Sequence, residues 1–485
     1  MLFERFTDDD LSHYSYALGC PAVGELAIVD PRRDIDVYLN FAAEEGLEIT
    51  RVLETHIHAD FASGARELAR RTGAALLVSG HDSGEEYEVS FPHTDLADGE
   101  EVAFGSVRLR ALHTPGHTPE HLSFLVFDES RSEEAPMLLL SGDFLFVGSL
   151  GRPDLLGEEA KRELAGDLFA SAREVLADLP DGLEVHPAHG AGSMCGSGMG
   201  GRPQSTLGYE RATNPYLDPG LDREAFIDKI LGDVPPFPDY YRRMKRVNSE
   251  GPRLLCEETA GQGGCDGTGT ALPGLRAIPA ERFSDLAGSD EHEVIDLRHR
   301  VAFGGGHVPG SFGLGIDGSL STWAAWVLPY ERPILLVAED EADVEPAVRA
   351  LVRVGLDRVV GYLDGGIMAW PATGGGLETI PQVTPAQVHA AQAAEGDSTL
   401  RILDVRTDEE YAEGHAPGAV HIHGGELQDR LDEVPRDLPL AIICGTGYRS
   451  TVASSVLRRN GYSQVMNILG GTTAWEEAGL PLEEG

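Results

Sequence analysis

The sequence is short of cysteine, of lysine and of long apolar runs. Cysteine occurs five times in 485 residues, at Cys20, Cys195, Cys256, Cys265 and Cys444, too sparsely for a disulfide framework. Lysine stands only at Lys161, Lys229 and Lys245, so nearly all positive charge is arginine, and 80 acidic against 38 basic residues leave a net charge of −42. Such a field repels nucleic acid and anionic membrane, and neither is an expected partner. An acidic, lysine-poor surface suits a high-salt cytoplasm, although a GC-rich genome gives the same skew. No apolar run reaches membrane-spanning length, and 41% hydrophobic residues fit a soluble globular protein. The start, MLFERFTDDDLSHYSYALG, has no apolar core of a secretory leader. The expected compartment is the cytoplasm.

The length suits about three domains. The first half alternates strands and helices: ELAIVDP (25–31) and ITRVLET (49–55) read as strands, with His56 at the C-terminal end of the second, where open α/β sheets place their ligands. MLLLSGD (137–143) reads as a strand ending on Asp143, and HPAHG (186–190) closes another. EEAKRELAGDLFASAREVLADLP reads as one long amphipathic helix. The stretch 248–275 turns Gly-rich and polar, as a linker does. Beyond it a unit of about 100 residues occurs twice. DLR at 296–298 returns as DVR at 404–406, GHVPGS at 306–311 as GHAPGA at 414–419, and GGIMAW at 365–370 as GGTTAW at 470–475. The expected domains are 1–247, 276–381 and 382–485.

"THIHADFASG" (55–64) supplies His56, His58 and Asp60, but where a second metal would want an imidazole the chain has Phe61. His117, Asp143 and His189 follow, each at a strand end or in the next turn. With "HTPGHTPEH" (113–121), "SGDFLF" (141–146), "GRPDL" (151–155) and "PAHGAGSMCG" (187–196), this half resembles the metallo-β-lactamase fold, and within it the persulfide dioxygenases. The resemblance implies an αββα sandwich and one Fe(II) per chain, held by His56, His117 and Asp143. Two imidazoles and a carboxylate form a facial triad with open positions for O2 and a substrate sulfur. His58, Asp60 and His189 are left to orient those ligands by hydrogen bonds. Asp60, His189 and Asp143 together could still hold a weak second ion. Arg152 fits two parts, a guanidinium facing the substrate or a surface salt bridge. Cys195 also fits two, a persulfide carrier beside the iron or a small buried thiol.

"LAIICGTGYRST" (440–451) reads as an apolar strand, a tight loop of Gly445, Thr446, Gly447 and Tyr448, and a helix start. Loop N–H groups should point at Cys444, lower its pKa and hold an anionic persulfide, with Arg449 as an anion-binding fork. This stretch resembles a rhodanese sulfurtransferase. Cysteine phosphatases need one more residue between Cys and Arg than the four that Cys444 and Arg449 enclose. In the middle copy, Ala338 stands where Cys444 does and EDEADV follows, so it resembles a rhodanese-like α/β domain without the chemistry, in a binding or spacer role. Cys256 and Cys265, with eight residues between them, allow a redox-formed disulfide loop or a weak metal clip but read most simply as exposed, unrelated thiols, and Cys20 as a core residue.

The whole order resembles a persulfide dioxygenase–rhodanese fusion. It implies oxidation of a small thiol persulfide by O2 to sulfite, and transfer of sulfur through Cys444 to sulfite as thiosulfate. The partners are then the persulfide, O2 and sulfite, with self-association left open. The alternatives are a zinc thioesterase of the glyoxalase II kind fused to a sulfurtransferase, and a non-catalytic sulfur carrier or sensor.

Overall fold

The computed structural model describes residues 1–258, 272–393 and 400–484. It divides into two compact units, Met1–Leu272 with the short stretch Val352–Gly355, and the remainder from Pro273 to Gly485.

The first unit is a four-layer αββα sandwich, as the resemblance implies. One six-stranded sheet runs in sequence order through Leu2–Asp8, His13–Cys20, Glu25–Val29, Glu48–Leu53, Ala75–Ser79 and Thr94–Leu96. The other runs Ser205–Thr206, Glu184–Pro187, Leu138–Gly142, Leu122–Asp128, Val107–His113, Glu101–Phe104. Side chains alternate across a strand, so one fully apolar strand feeds two cores. In Leu122–Asp128, Phe124 and Val126 pack against Leu18, Val29 and Leu53 of the facing sheet. Leu125 and Phe127 point the other way, toward Ala165, Leu168 and Phe226 of the helices Lys161–Ala170 and Arg223–Gly232. On the opposite side, Leu26, Ile28 and Val52 meet Tyr38 and Leu68 of the helices Asp36–Glu45 and Ala65–Thr72.

Two expectations change in detail. The long helix is α-helical over Lys161–Ala170 and continues as a π turn over Ser171–Val175. Residues 248–250, read from composition as the start of a linker, instead close the helix Tyr240–Glu250, because Asn248 and Ser249 are buried there and bonded to the first unit.

The second unit holds two five-stranded parallel sheets of identical topology. Their spatial orders are Ala277–Ile278, Val359–Leu363, Ile334–Val337, Glu293–Asp296, Phe312–Gly313 and Gln382–Val383, Val465–Ile468, Leu440–Ile443, Arg401–Asp404, Val420–His421. The repeated D-x-R motif is a clamp. Arg298 grips Asp296 and donates to the Gly306 carbonyl at 2.7 Å, as Arg406 grips Asp404 and donates to the Gly414 carbonyl at 2.7 Å. Each pair ties a strand end to the following GHxPG turn.

Among the described residues no helix is long and apolar enough to cross a membrane.

Candidate metal centre and sulfur loop

His56 follows the strand Glu48–Leu53 of the first sheet. His117 lies in the turn between Val107–His113 and Leu122–Asp128, and Asp143 follows Leu138–Gly142, both in the second sheet. The sandwich brings these three ends together. His56, His117 and Asp143 each offer one ligand atom, all within 4.8 Å of one another and buried. Asp143 Oδ2 is 3.3 Å from His117 Nε2 and 3.8 Å from His56 Nε2.

These three atoms have no hydrogen-bond partner, although every other polar atom of the same side chains has one. Buried polar atoms left without partners are costly, and three converging on one point fit a metal ion. The tautomers agree. His117 Nδ1 donates to the Arg152 carbonyl at 2.9 Å, leaving Nε2 a free lone pair. The Thr55 hydroxyl donates to Asp30 at 2.9 Å, so it accepts from His56 Nδ1, also at 2.9 Å, and His56 Nε2 is free too. Burial, and then the neighbouring imidazoles, push His56 and His117 well below the usual range, toward the neutral form that coordinates.

His189 bridges the carboxylates of Asp143 and Asp60, 2.7 Å from each. Burial opposes its protonation, but the two carboxylates override it and raise the imidazole to about 10. His58 packs its ring on His56 at a centroid distance of 4.2 Å but turns Nε2 away to the carboxylates, 3.1 Å from Glu54 and 3.3 Å from Asp30. Phe61 is fully buried and packs its ring on His13 and His58, at centroid distances of 4.1 and 4.4 Å. Cys195 is buried near Asp60 and His189, which together form another cluster of potential ligands. Burial and then the Asp60 and Asp143 charges hold its thiol well above the ordinary range.

Arg152 plays neither expected part. Its guanidinium is buried, bidentate on Asp154 at 2.7 and 2.9 Å, with its other donors on the carbonyls of Met194, Pro235 and Pro236. No donor is left for a substrate, and the residue acts on the site through its own carbonyl, which holds His117. Cys256 is buried and disulfide-bonded, the alternative to an exposed thiol; Cys265 lies outside the described residues.

Several supports had no clear mark in the sequence. His121 Nε2 accepts the Asp143 N–H at 3.0 Å. Gly142, at φ 54°, lets that strand end pass close by, since a Cβ there would lie 2.5 Å from His121 Nε2. Asn248 donates to the His58 and Phe61 carbonyls at 2.8 and 2.7 Å, and buried Lys245 donates to the Ile57 carbonyl at 3.3 Å. Of these, His121 and Gly142 sit inside motifs noted above, HTPGHTPEH and SGDFLF, whereas Asn248 and Lys245 sit in none.

In the second unit, Cys444 follows the strand Leu440–Ile443, and its buried sulfur accepts the Gly447 N–H at 3.1 Å. Gly447 adopts φ 105°, which turns that N–H inward at the start of the helix Tyr448–Arg459. Behind the sulfur, Ser450 Oγ lies 3.4 Å away and donates to Asn467. Gly471 of the repeated GGxxAW motif lies against the loop, and a Cβ there would fall 2.0 Å from the Cys444 carbonyl. Arg449 is not the free fork expected. Each of its terminal nitrogens donates to Glu410, at 2.5 and 2.6 Å, so its charge is paired. Burial opposes the Glu410 charge, but Arg449 prevails and lowers that carboxyl to about 2.

The middle copy keeps the frame. Val337 pairs with Asp296 as Ile443 pairs with Asp404, so Ala338 takes the place of Cys444. After it, Asp340 caps a 3-10 turn, Glu341–Asp343, and no arginine faces the position from that turn.

The metallo-beta-lactamase superfamily model matches residues 8–189, and the rhodanese-like domain model matches 279–373 and 384–478. A metallo-beta-lactamase of Staphylococcus aureus subsp. aureus COL is similar in structure, with a TM-score of 0.65 and 37% identity, covering 74% of this chain and 98% of its own. A hydroxyacylglutathione hydrolase of Anaeromyxobacter dehalogenans is 36% identical over 244 residues, 45% of this chain and 86% of that protein. ETHE1 from Myxococcus xanthus matches with a TM-score of 0.44 and 29% identity, over 51% of this chain and 98% of its own.

Proposed function

The chain belongs to the metallo-β-lactamase superfamily and carries two rhodanese-like domains behind that fold, and from this premise we propose that it oxidises a small thiol persulfide with O2 and passes sulfur through Cys444. The carrying observation is the set of three converging orphaned atoms on His56, His117 and Asp143, beside a buried Phe61 where a second metal would want an imidazole. A ferrous ion held by these residues would supply the redox capacity to bring O2 and a sulfane sulfur together.

The chain's own residues do the rest. Thr55, the Arg152 carbonyl and His189 fix the three ligands at their far atoms, so the ligand atoms need little reorganisation on binding. Phe61 fills its position with an apolar ring that neither coordinates nor admits water. In the overall change, RSSH + O2 + H2O gives RSH + SO3²⁻ + 2 H⁺. In the second unit, the loop N–H at Gly447 holds the Cys444 sulfur, which takes a sulfane sulfur from another persulfide and gives it to sulfite as thiosulfate.

A second reading, thioester hydrolysis by a zinc centre, is favoured by the similarity to a hydroxyacylglutathione hydrolase and by the Asp60–His189–Cys195 cluster. Metal analysis with oxygen uptake on glutathione persulfide separates the two. One iron per chain and persulfide-dependent O2 consumption are expected; zinc with O2-independent thioester cleavage would replace the first reading by the second.

A further inference from the structure

Resting on the sulfur-transfer reading of Cys444, we propose that Arg300, in the domain that lacks a cysteine, is the residue that binds the sulfur oxyanion, sulfite or thiosulfate, at the Cys444 loop. The loop's own cation is engaged, since Arg449 faces Glu410 with both terminal nitrogens. With that charge paired, an incoming dianion gains from a further positive group, in a chain whose net charge is −42.

The middle domain supplies one. Tyr448, between Cys444 and Arg449 in the catalytic loop, donates its hydroxyl to the Gly315 carbonyl at 3.2 Å. Gly318 lies flat against the same ring, where a Cβ would fall 2.2 Å from it. Next to this contact Arg300 reaches Gly447, the residue whose N–H holds the sulfur. Its Nε lies 3.3 Å and its Cδ 3.5 Å from the point a Gly447 Cβ would occupy. Among the described residues, the one hydrogen-bond partner of the guanidinium is Asp317, 3.1 Å from Nη1. Nε and Nη2 remain available, and the side chain is 30% exposed, open to a ligand arriving from solvent.

In the transfer, sulfite sulfur attacks the outer sulfur of the Cys444 persulfide. The new S–S bond forms as the old one breaks, and Cys444 leaves as a thiolate with the bonding pair. Arg300 exchanges no atoms. Its guanidinium offsets the charge of the oxyanion and orients its oxygens. The middle domain thereby acts on the chemistry of its neighbour without a cysteine of its own.

The test uses the full chain with Arg300→Gln, Arg300→Lys and Asp317→Asn. Two readouts are taken: the KM for thiosulfate in thiosulfate:cyanide sulfur transfer, and the ratio of alkylation rates at Cys444 by anionic iodoacetate and neutral iodoacetamide, followed by peptide mass spectrometry. Arg300→Gln should raise the KM and lower the ratio, each on the order of tenfold, while the iodoacetamide rate stays near wild type and shows the loop intact. Arg300→Lys should recover most of both, and Asp317→Asn should raise the ratio. An unchanged ratio and KM in Arg300→Gln would overturn the assignment. If the wild-type chain transferred no sulfur but the ratio still followed the charge at 300, the anion site would stand and the sulfurtransferase reading would fall.

Discussion

His189 donates from Nδ1 to Asp143 Oδ1 at 2.7 Å, and Asp143 meets the two ligand histidines with its other oxygen, Oδ2. The carboxylate is thereby divided, one oxygen held by a hydrogen bond and the other facing the two imidazoles. Replacing His189 by Ala removes the hold on Oδ1 and frees Asp143 to rotate. Metal affinity, read by competition with a chelator, should fall about 10- to 100-fold. An unchanged affinity would show that the burial of Asp143 alone keeps it in place.

The two centres are expected to fail independently. Cys444→Ser should leave persulfide-dependent O2 uptake intact and shift the product from thiosulfate toward sulfite. Asp143→Ala should abolish uptake and metal retention while sulfur transfer to added sulfite survives. Oxygen consumption and product quantification on both variants, with one persulfide donor, check this. Loss of uptake in Cys444→Ser would place that thiol inside the oxidation step.

Gly142→Ala should damage the metal centre without touching a ligand. The residue sits at φ 54°, and a methyl would press on His121 Nε2 and on the Thr55 side chain, 2.5 and 2.9 Å from the ideal Cβ. A cost of about 1–3 kcal/mol is expected, with reduced metal occupancy, because His121 and Thr55 hold Asp143 and His56 respectively. Thermal unfolding and metal content, measured on the same sample, report both.

Glu410 gives the sulfur domain a defined acid limit. Its carboxyl is lowered to about 2 by Arg449, below the ordinary carboxylate value of about 4.3, so the native state favours its ionised form. The stabilisation is complete above the unfolded-state pKa and is lost as pH falls toward 2. Discounted for its partial exposure, it amounts to about 1 kcal/mol. Hydrogen exchange in peptides spanning Leu440–Ile443 should quicken, relative to the intrinsic rate, from about pH 4.5 downward, and Glu410→Gln should flatten that dependence. A variant with the same pH profile as the wild type would assign the acid limit to other groups.

Restoring the thiol should not revive the middle domain. With Cys444→Ser removing the background, Ala338→Cys places a sulfur at the equivalent strand end, but the 3-10 turn after it carries Glu341 and Asp343, and Asp340 spends its carboxylate on the Ala342 N–H. No thiosulfate:cyanide activity is expected. Measurable turnover would show that the missing cysteine is this domain's one deficiency.

The sequence by itself determined what depends on spacing along one strand and the turn after it. HxHxD, GHT and SGD could be read as one metal set because each stands at the end of an apolar run, and such ends meet at one edge of a sandwich. The Cys444 loop was legible for the same reason, as a strand, a short Gly-bearing loop and a helix start, and the repeat gave the middle copy's frame and its missing sulfur. Tertiary structure alone decided which charges are free. Arg152 and Arg449 carry the same guanidinium in suggestive places, yet Asp154 and Glu410 engage both of them. Arg300, in no motif, retains donors beside Gly447. Likewise Asn248 reaches the HxHxD loop from 190 residues away, with no local periodicity to announce it. A side chain's type fixes what it can bind, but its partner is set by packing between elements far apart in the chain, and an ion pair or hydrogen bond made there leaves no pattern in the residues on either side.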